Sequence, residues 1–250
     1  MLVMQQAIVL KLVEQIREKI PGIGVIKLYH MLREPMEAHG IKMGRDKLYD
    51  LLSYFGLLIR KKRRRQPITT DSNHPFYKYK NLIKSMPITR PNLVWVSDIT
   101  YIRLIHGFCY LNLITDAFSR KIVGYFLNKN LSSEGTIIAL RMALSECKRN
   151  STTMLIHHSD RGLQYCCKEY IKILNDHHVG ISMTQNGDPY ENAIAERVNG
   201  ILKHQFNLGN TFKSMNEVQL TLDQAIKNYN ELRPHLSLNL LTPVQVHQKS

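Results

Sequence analysis

The chain is short of acidic residues and of anything that would staple it or anchor it. Only 20 aspartates and glutamates stand against 34 lysines and arginines, a formal charge of +14. Four cysteines, Cys109, Cys147, Cys166 and Cys167, form no CxxC and no regular framework. That spacing excludes a disulfide scaffold and fits the reduced thiols of a cytosolic protein. No run of 18 apolar residues occurs, so no membrane-spanning helix is expected. The start, MLVMQQAIVLKLVEQIREK, lacks basic residues ahead of its apolar stretch and a small-residue cleavage site, so no signal peptide is expected. There is no internal repeat and no low-complexity tract beyond one basic run. What is present in ordinary measure is apolar: 44% of 250 residues, with 22% charged. Such a chain can pack one large or two small domains, which excludes a disordered tail as the main reading. Excess positive charge without a spanning segment points to a polyanionic partner, nucleic acid ahead of a membrane surface.

The charge is unevenly spread. Residues 1–90 carry 18 basic and 7 acidic side chains, or +11, and residues 91–250 carry 16 and 13, or +3. A basic gripping module ahead of a nearly neutral domain is the arrangement this implies. In the first part, Val9, Leu12, Ile16 and Ile20 recur at helical spacing until Pro21 and Gly22 end the helix. Further helices are expected over 25–36 and 45–55, joined by the turn AHGIKMG. Helix, glycine-containing turn, helix is the pattern of helix-turn-helix DNA readers, and equally of a small bundle with a solvated charged face. Arg60, Lys61, Lys62, Arg63, Arg64 and Arg65 follow without interruption, then the turn formers QPITTDSNHP. Contiguous like charges cannot face a core. They make a solvated loop or, in a DNA-binding chain, a linker whose cations replace the counterions of phosphates. The organisation expected is a helical helix-turn-helix-like DNA-binding region over 1–59, a basic linker over 60–90 and a second domain over 91–250.

From Leu93 the period changes. Val94, Val96, Ile99 and Ile102 lie in a β-prone run, and 108–115 (FCYLNLIT) and 121–127 (KIVGYFL) are two more. An amphipathic helix over 132–147, a strand over 154–158, a helix over 168–177, a strand over 181–183 and a long helix over 192–206 complete the order βββαβαβα. This describes an α/β fold, a mixed five-stranded sheet flanked by helices, with its site at strand ends and the loops that follow.

Three carboxylates stand out by position. Asp98 lies inside the first strand (WVSDITYI), where a half-buried β segment does not place an acid without a reason. Asp160 sits where the fourth strand (IHHSDRGLQY) gives way to loop. Glu196 lies on the long helix (ENAIAERVNGILK), with 35 residues between it and Asp160. Gathered carboxylates repel unless cations join them. Two Mg²⁺ ions roughly 4 Å apart would activate an attacking oxygen and stabilise a departing one in phosphodiester chemistry. Taken singly, Asp160 also reads as a turn residue and Glu196 as a solvated helix residue.

The segments WVSDITYI, LNLITDAFSRKIVGY, IHHSDRGLQYCCKEY, SMTQNGDPYENAIAERVNGILKHQ and YNELRPHLSLNLLTP carry a resemblance that covers roughly residues 90–247. The chain resembles the catalytic subunit encoded by the second reading frame (OrfB) of bacterial insertion sequences of the copy-and-paste type, a family related to retroviral integrases. The resemblance implies a ribonuclease-H-like integrase catalytic core over 91–250, with C-terminal helices and a DDE triad carried over onto Asp98, Asp160 and Glu196. It implies Mg²⁺ or Mn²⁺, two ions, held by those same three residues. The implied reaction is cleavage at the element's end, then attack of the freed 3′-hydroxyl on a target phosphodiester. The implied partners are the terminal repeats, target DNA, an upstream-frame protein or fusion partner, and further copies of the chain on DNA. The implied setting is the cytoplasm and its nucleoid, without a membrane. Two other functions compete: a DNA-binding repressor fragment inactive on its own, and a nuclease that cuts without joining.

Around the triad, Glu196, Asn199 and Lys203 recur at i, i+3 and i+7 and so share a helix face. Lys203 and Asn199 are expected at DNA, with Lys203 on a phosphate as the resemblance implies; a plain surface lysine is the alternative. Asn186 and Gly187 make a turn, and Tyr190 stacks on a base or simply packs. His157 and His158 alternate along a strand, so at most one reaches the site, and packed histidines are the expectation. Asp116 reads as a turn residue, Trp95 as core. Arg233 and His235 either close a helical cap over the core or help to hold DNA.

Overall fold

A computed structural model describes residues 2–59, 75–147, 154–185 and 192–249. The basic run from Arg60 to Arg65, with Asn186, Gly187 and Tyr190, lies outside the described residues. The first helices form where apolar side chains recur at helical spacing. Helix α1 (Leu2–Lys19) buries Val9 and Val13, α2 (Val25–Ala38) buries Leu28, Leu32 and Met36, and α3 (Arg45–Tyr54) buries Leu48, Leu51 and Leu52. Helix α2 closes by a Schellman-like turn in which the Ile41 amide donates to the Met36 carbonyl at 2.9 Å. Its pivot, Gly40, has φ +65°, which a side chain would strain.

The sheet starts with an antiparallel meander of β1 (Val94–Leu104), β2 (Gly107–Asp116) and β3 (Ile122–Asn128). After α4 (Ser133–Glu146), β4 (Ile156–Ser159) returns parallel to β1. The short α5 (Leu163–Cys166) and α6 (Lys168–Asp176) then lead to β5 (Gly180–Met183), parallel to β4. The order is β3-β2-β1-β4-β5. Helix α7 (Ala193–Gln205), the two-residue β6 (Thr211–Phe212), α8 (Met215–Glu231) and α9 (Pro243–Gln248) finish the chain, and β6 pairs with the far end of β1. The expected mixed sheet of five strands is present, with this short sixth piece added.

Alternation along the strands divides the core. On one face Trp95, Ile114, Leu140, Leu155, Tyr170 and Leu174 pack under α4 and α6. On the other, Leu111, Leu113 and Leu127 meet Val198 and Leu202 of α7, Leu222 of α8, and the apolar sides of α1, α2 and α3 in one continuous cluster. The N-terminal helices are thus seated on the sheet domain. Gly22 donates its amide to the Gln205 carbonyl at 2.9 Å, and Asn228 Nδ2 donates to the Lys19 carbonyl at 2.9 Å. A Cβ at Gly22 would collide with the His204 carbonyl and come within 2.7 Å of Gln205 Cα, so only glycine permits this approach.

Candidate active site

The parallel pairing of β1 with β4 sets the site. Val94, Trp95 and Val96 pair with Ile156, His157 and His158, a constant offset of 62 residues. Carried two residues past the last of these pairs, that offset brings Asp160 level with Asp98. Adjacent strands lie roughly 5 Å apart, so the two acids are neighbours at the carboxyl end of β4. Both line one open cleft, with Tyr101, Gly162, Gln164 and Tyr165 among the remaining walls.

The loop after β4 is fastened from several sides. Asp160 Oδ1 accepts from the Gly162 amide at 2.9 Å, the Thr184 amide donates to the Ser159 carbonyl at 3.0 Å, and Arg161 Nε donates to the Thr184 carbonyl at 2.6 Å. Beneath Asp98, Ser97 Oγ donates to the Leu113 carbonyl at 3.0 Å and bonds the Tyr165 hydroxyl at 3.0 Å. Burial, with Asp160 next, holds that phenol well above its ordinary range, so it stays neutral.

The Asp98 carboxyl is pushed up to about 7. Burial is the largest cause and the Asp160 charge the next; the Asn199 hydrogen bond opposes them, and the Glu196 charge adds to them. Asn199 Nδ2 donates to Asp98 Oδ2 at 2.7 Å. Lys203 is pulled down by burial and up by the Asp98 charge. The helix face inferred from spacing is therefore turned toward Asp98: Glu196 and Lys203 are felt there as charges, and Asn199 as a direct bond. Glu196 itself is exposed and does not line the cleft, and burial raises its carboxyl. Among the described residues, no three His, Cys, Asp or Glu side chains gather closely enough to hold an ion. The two aspartates are brought together; the glutamate stands off on its helix.

Other expected positions resolve as packing. His157 and His158 are both buried, the first with Nε2 2.9 Å from the Tyr170 hydroxyl, the second with Nδ1 2.8 Å from Ser182 Oγ. Burial, then the neighbouring His158, lowers His157 to about 3, so it is neutral. Asp116 is fully buried at the end of β2: its Oδ1 accepts from the Ser119 amide and hydroxyl and its Oδ2 from the Asn92 amide, each at 2.7 Å. Trp95 is in the core. Arg233 and His235 are buried beneath α8, which favours the cap over a solvent-facing grip. Sequence reading passed over Asn192, whose Nδ2 donates to the Ser97 carbonyl at 3.0 Å and so fastens the start of α7 to the strand bearing Asp98. Its signal was slight: an asparagine at a helix start, a cap by type, here used on a distant strand.

Residues 88–189 match the integrase core domain family, and residues 177–243 match a second integrase core domain family. A 31 kDa protein of insertion element IS600 from Shigella sonnei is 34% identical over 220 residues, which is 87% of this chain and 80% of that protein. The transposase for insertion sequence element IS629, also from Shigella sonnei, is 31% identical over 213 residues, 84% of this chain and 68% of its own length. Transposase InsF of insertion sequence IS3A from Escherichia coli K12 is 34% identical over 161 residues, 64% and 55% of the two chains. Among solved structures, a simian T-cell lymphotropic virus intasome superposes with TM-score 0.53 at 20% identity, covering 86% of this chain and 70% of that one. The HTLV-2 integrase catalytic core domain, solved with magnesium, gives 0.50 at 21% identity over 63% of this chain and 97% of that one. At those identities the likeness is one of fold: a ribonuclease-H-like integrase core.

Proposed function

The chain belongs to the integrase-core family of insertion-sequence transposases and is a DNA transposase, and on that premise we propose that Asp98, Asp160 and Glu196 are its catalytic and metal-holding triad. The observation that carries this reading is the shared register of Asp98 and Asp160 at one cleft, with the Asp98 carboxyl raised by burial and by its neighbour's charge. Two carboxylates held side by side without a cation repel, and an oxygen-only donor set of this kind suits a hard divalent ion. Asp98 and Asp160 would hold it jointly, with Glu196 drawn in from α7 as the third ligand. Divalent ions bound there, Mg²⁺ or Mn²⁺ and two in number, would supply Lewis-acid activation of the attacking oxygen and charge stabilisation of the leaving one.

The chain's own residues orient the rest. Asn199 fixes the Asp98 carboxylate, Gly162 fixes that of Asp160, and neutral Tyr165 walls the cleft without adding charge. Lys203, half-buried beside Asp98, is set to neutralise a phosphate of the bound end. Residues 1–59 act as the helix-turn-helix DNA reader, 60–90 with Arg60, Lys61, Lys62, Arg63, Arg64 and Arg65 as a phosphate-touching linker, and 91–250 as the catalytic domain. The reaction is cleavage at the element's ends and transfer of the 3′-hydroxyl to target DNA, in the bacterial cytoplasm, by several copies on DNA with an upstream-frame partner.

Replacing Asp160 by Asn keeps shape and removes a ligand charge. Cleavage and joining of an element-end oligonucleotide with Mg²⁺ or Mn²⁺ should be lost while DNA binding persists. Unabated strand transfer by that variant would sink the assignment.

A further inference from the structure

Where the start of α2 lies near α7 and the segment after α8, the molecule gathers cations. Lys27 stands in the first turn of α2, Arg197 beside Glu196 on α7, and Arg233 and His235 just past α8. Burial, then the charges of Arg233 and Arg197, pull the Lys27 ammonium down to about 8. The charges felt by His235 are those of Arg233, Lys27, Arg120 and Arg197, again all positive. Arg120 also feels the charge of Asp116. Among the described residues, none of Lys27, Arg197 and Arg233 makes an ion pair.

The buried members of this cluster are held by specific contacts. Arg233 is 2% exposed, its Nε donates to Gln205 Oε1 at 2.8 Å, and its guanidinium lies 5.9 Å from the Tyr229 ring centroid. Tyr229 stands edge-on to His235 at 5.2 Å. The His235 ring is 6% exposed, and its Nε2 has no hydrogen-bond partner. The Gly22 bond to the Gln205 carbonyl ties the entrance of α2 to the same end of α7. Helix α2 adds its positive end: its N-cap, Gly24, brings no side-chain cap, and the first turn holds no acid. Gly24 is exposed, with open space where a side chain would lie. A lysine in a first turn opposes the helix macrodipole, as do two arginines beside it. All of these features are relieved by one anion.

We propose that this cluster binds a backbone phosphate of DNA, with Lys27, Arg197 and the first amides of α2 as its contacts and Arg233 and His235 buried behind them. A DNA phosphate is favoured over a free one because Arg197, whose charge is felt at Lys27, directly follows Glu196 of the proposed triad on α7. The contact would join the DNA gripped by the helical region to the DNA being cut. It rests on the reading of the chain as a DNA-acting transposase.

The test is the salt dependence of binding, in EDTA so that no chemistry intervenes, for a labelled duplex carrying the terminal repeat and one of generic sequence. Lys27→Gln and Arg197→Gln should each lower the slope of log affinity against log salt by about 1 on both duplexes. The charge-keeping Lys27→Arg and Arg197→Lys should restore it. Wild-type slopes in both glutamine variants would overturn the inference and leave the DNA reading intact; no binding by the wild type would overturn both. Thermal stabilisation by inorganic phosphate that Lys27→Gln abolishes, with DNA slopes unchanged, would assign the cluster to free phosphate and overturn the DNA contact.

Discussion

Two regions of this molecule hold like charges together, and they differ in how the rest of the chain answers them. At the cleft, Asp98 and Asp160 repel, but Asn199 and the Gly162 amide bond their oxygens, and Lys203 lies close enough to be felt. At the entrance of α2, Lys27 feels the charges of Arg233 and Arg197, and Arg233 that of Arg197, each a like charge. On the readings proposed above, the first region would take a ligand that carries positive charge and the second one that carries negative charge. Helix α7 serves both through adjacent residues, Glu196 and Arg197. The lesson is that a local excess of charge informs only when its surroundings are counted: the total of +14 says less than either cluster.

The sharpest way to break the comparison is at the carboxylates. Asp160→Asn should lower strand cleavage by about 100-fold or more, since metal stabilisation of the transition state is worth several kcal/mol. Duplex affinity in EDTA should be unchanged, because the cationic region is untouched. Equal losses of both would mean that the two regions are not separable.

Next in size is Gly22→Ala, which wedges a methyl against the His204 carbonyl. Stability should fall by about 1–3 kcal/mol in the denaturant midpoint. DNA affinity should fall with it, while the cleavage rate at saturating DNA is kept.

Asn199→Ala should cost about tenfold in cleavage, the scale at which loss of a carboxylate's orienting partner is felt. Because the bond to Asp98 favours the ionised form, the optimum Mg²⁺ concentration should rise as well. A change in DNA affinity alone, with cleavage at saturation intact, would instead return Asn199 to a DNA-contacting role.

The smallest effect is a pH dependence of stability without metal. The Asp98 carboxyl, at about 7, lies above its unfolded value of 3.8. Its contribution is complete below that ordinary value and is lost as pH rises through about 7. With EDTA present, Asp98→Asn should gain on the wild type by several °C in Tm as pH rises from about 4 to about 7. A constant difference across that window would show that Asp98 is not perturbed.

Much of the fold was legible because it is written locally. The apolar spacing of Leu28, Leu32 and Met36, the run VWVSDITYI and the stops at Pro21 and Gly22 depend on neighbours a few residues away, and the observed elements begin and end within a few residues of expectation. The two-residue β6 and the four-residue α5 are too short to set a period, and neither was foreseen. Asp98 announced itself as an acid inside a strand. Asp160 and Glu196 did not stand apart by spacing and needed the motif around them. Asn199 is expected at DNA from its helix face, and its bond to Asp98, 101 residues away, was not legible. The cation cluster was illegible for the same reason, since Lys27, Arg197 and Arg233 meet only through tertiary packing.

The bond from Asn228 to the Lys19 carbonyl spans 209 residues. On the ribosome, at roughly 5–20 residues per second, α1 waits on the order of ten seconds to under a minute for α8 to emerge. Through that interval the Lys19 carbonyl lacks this partner, although strands β1 to β5 are made before α8. The segment that is made first therefore receives one of its tertiary bonds from one of the last elements made.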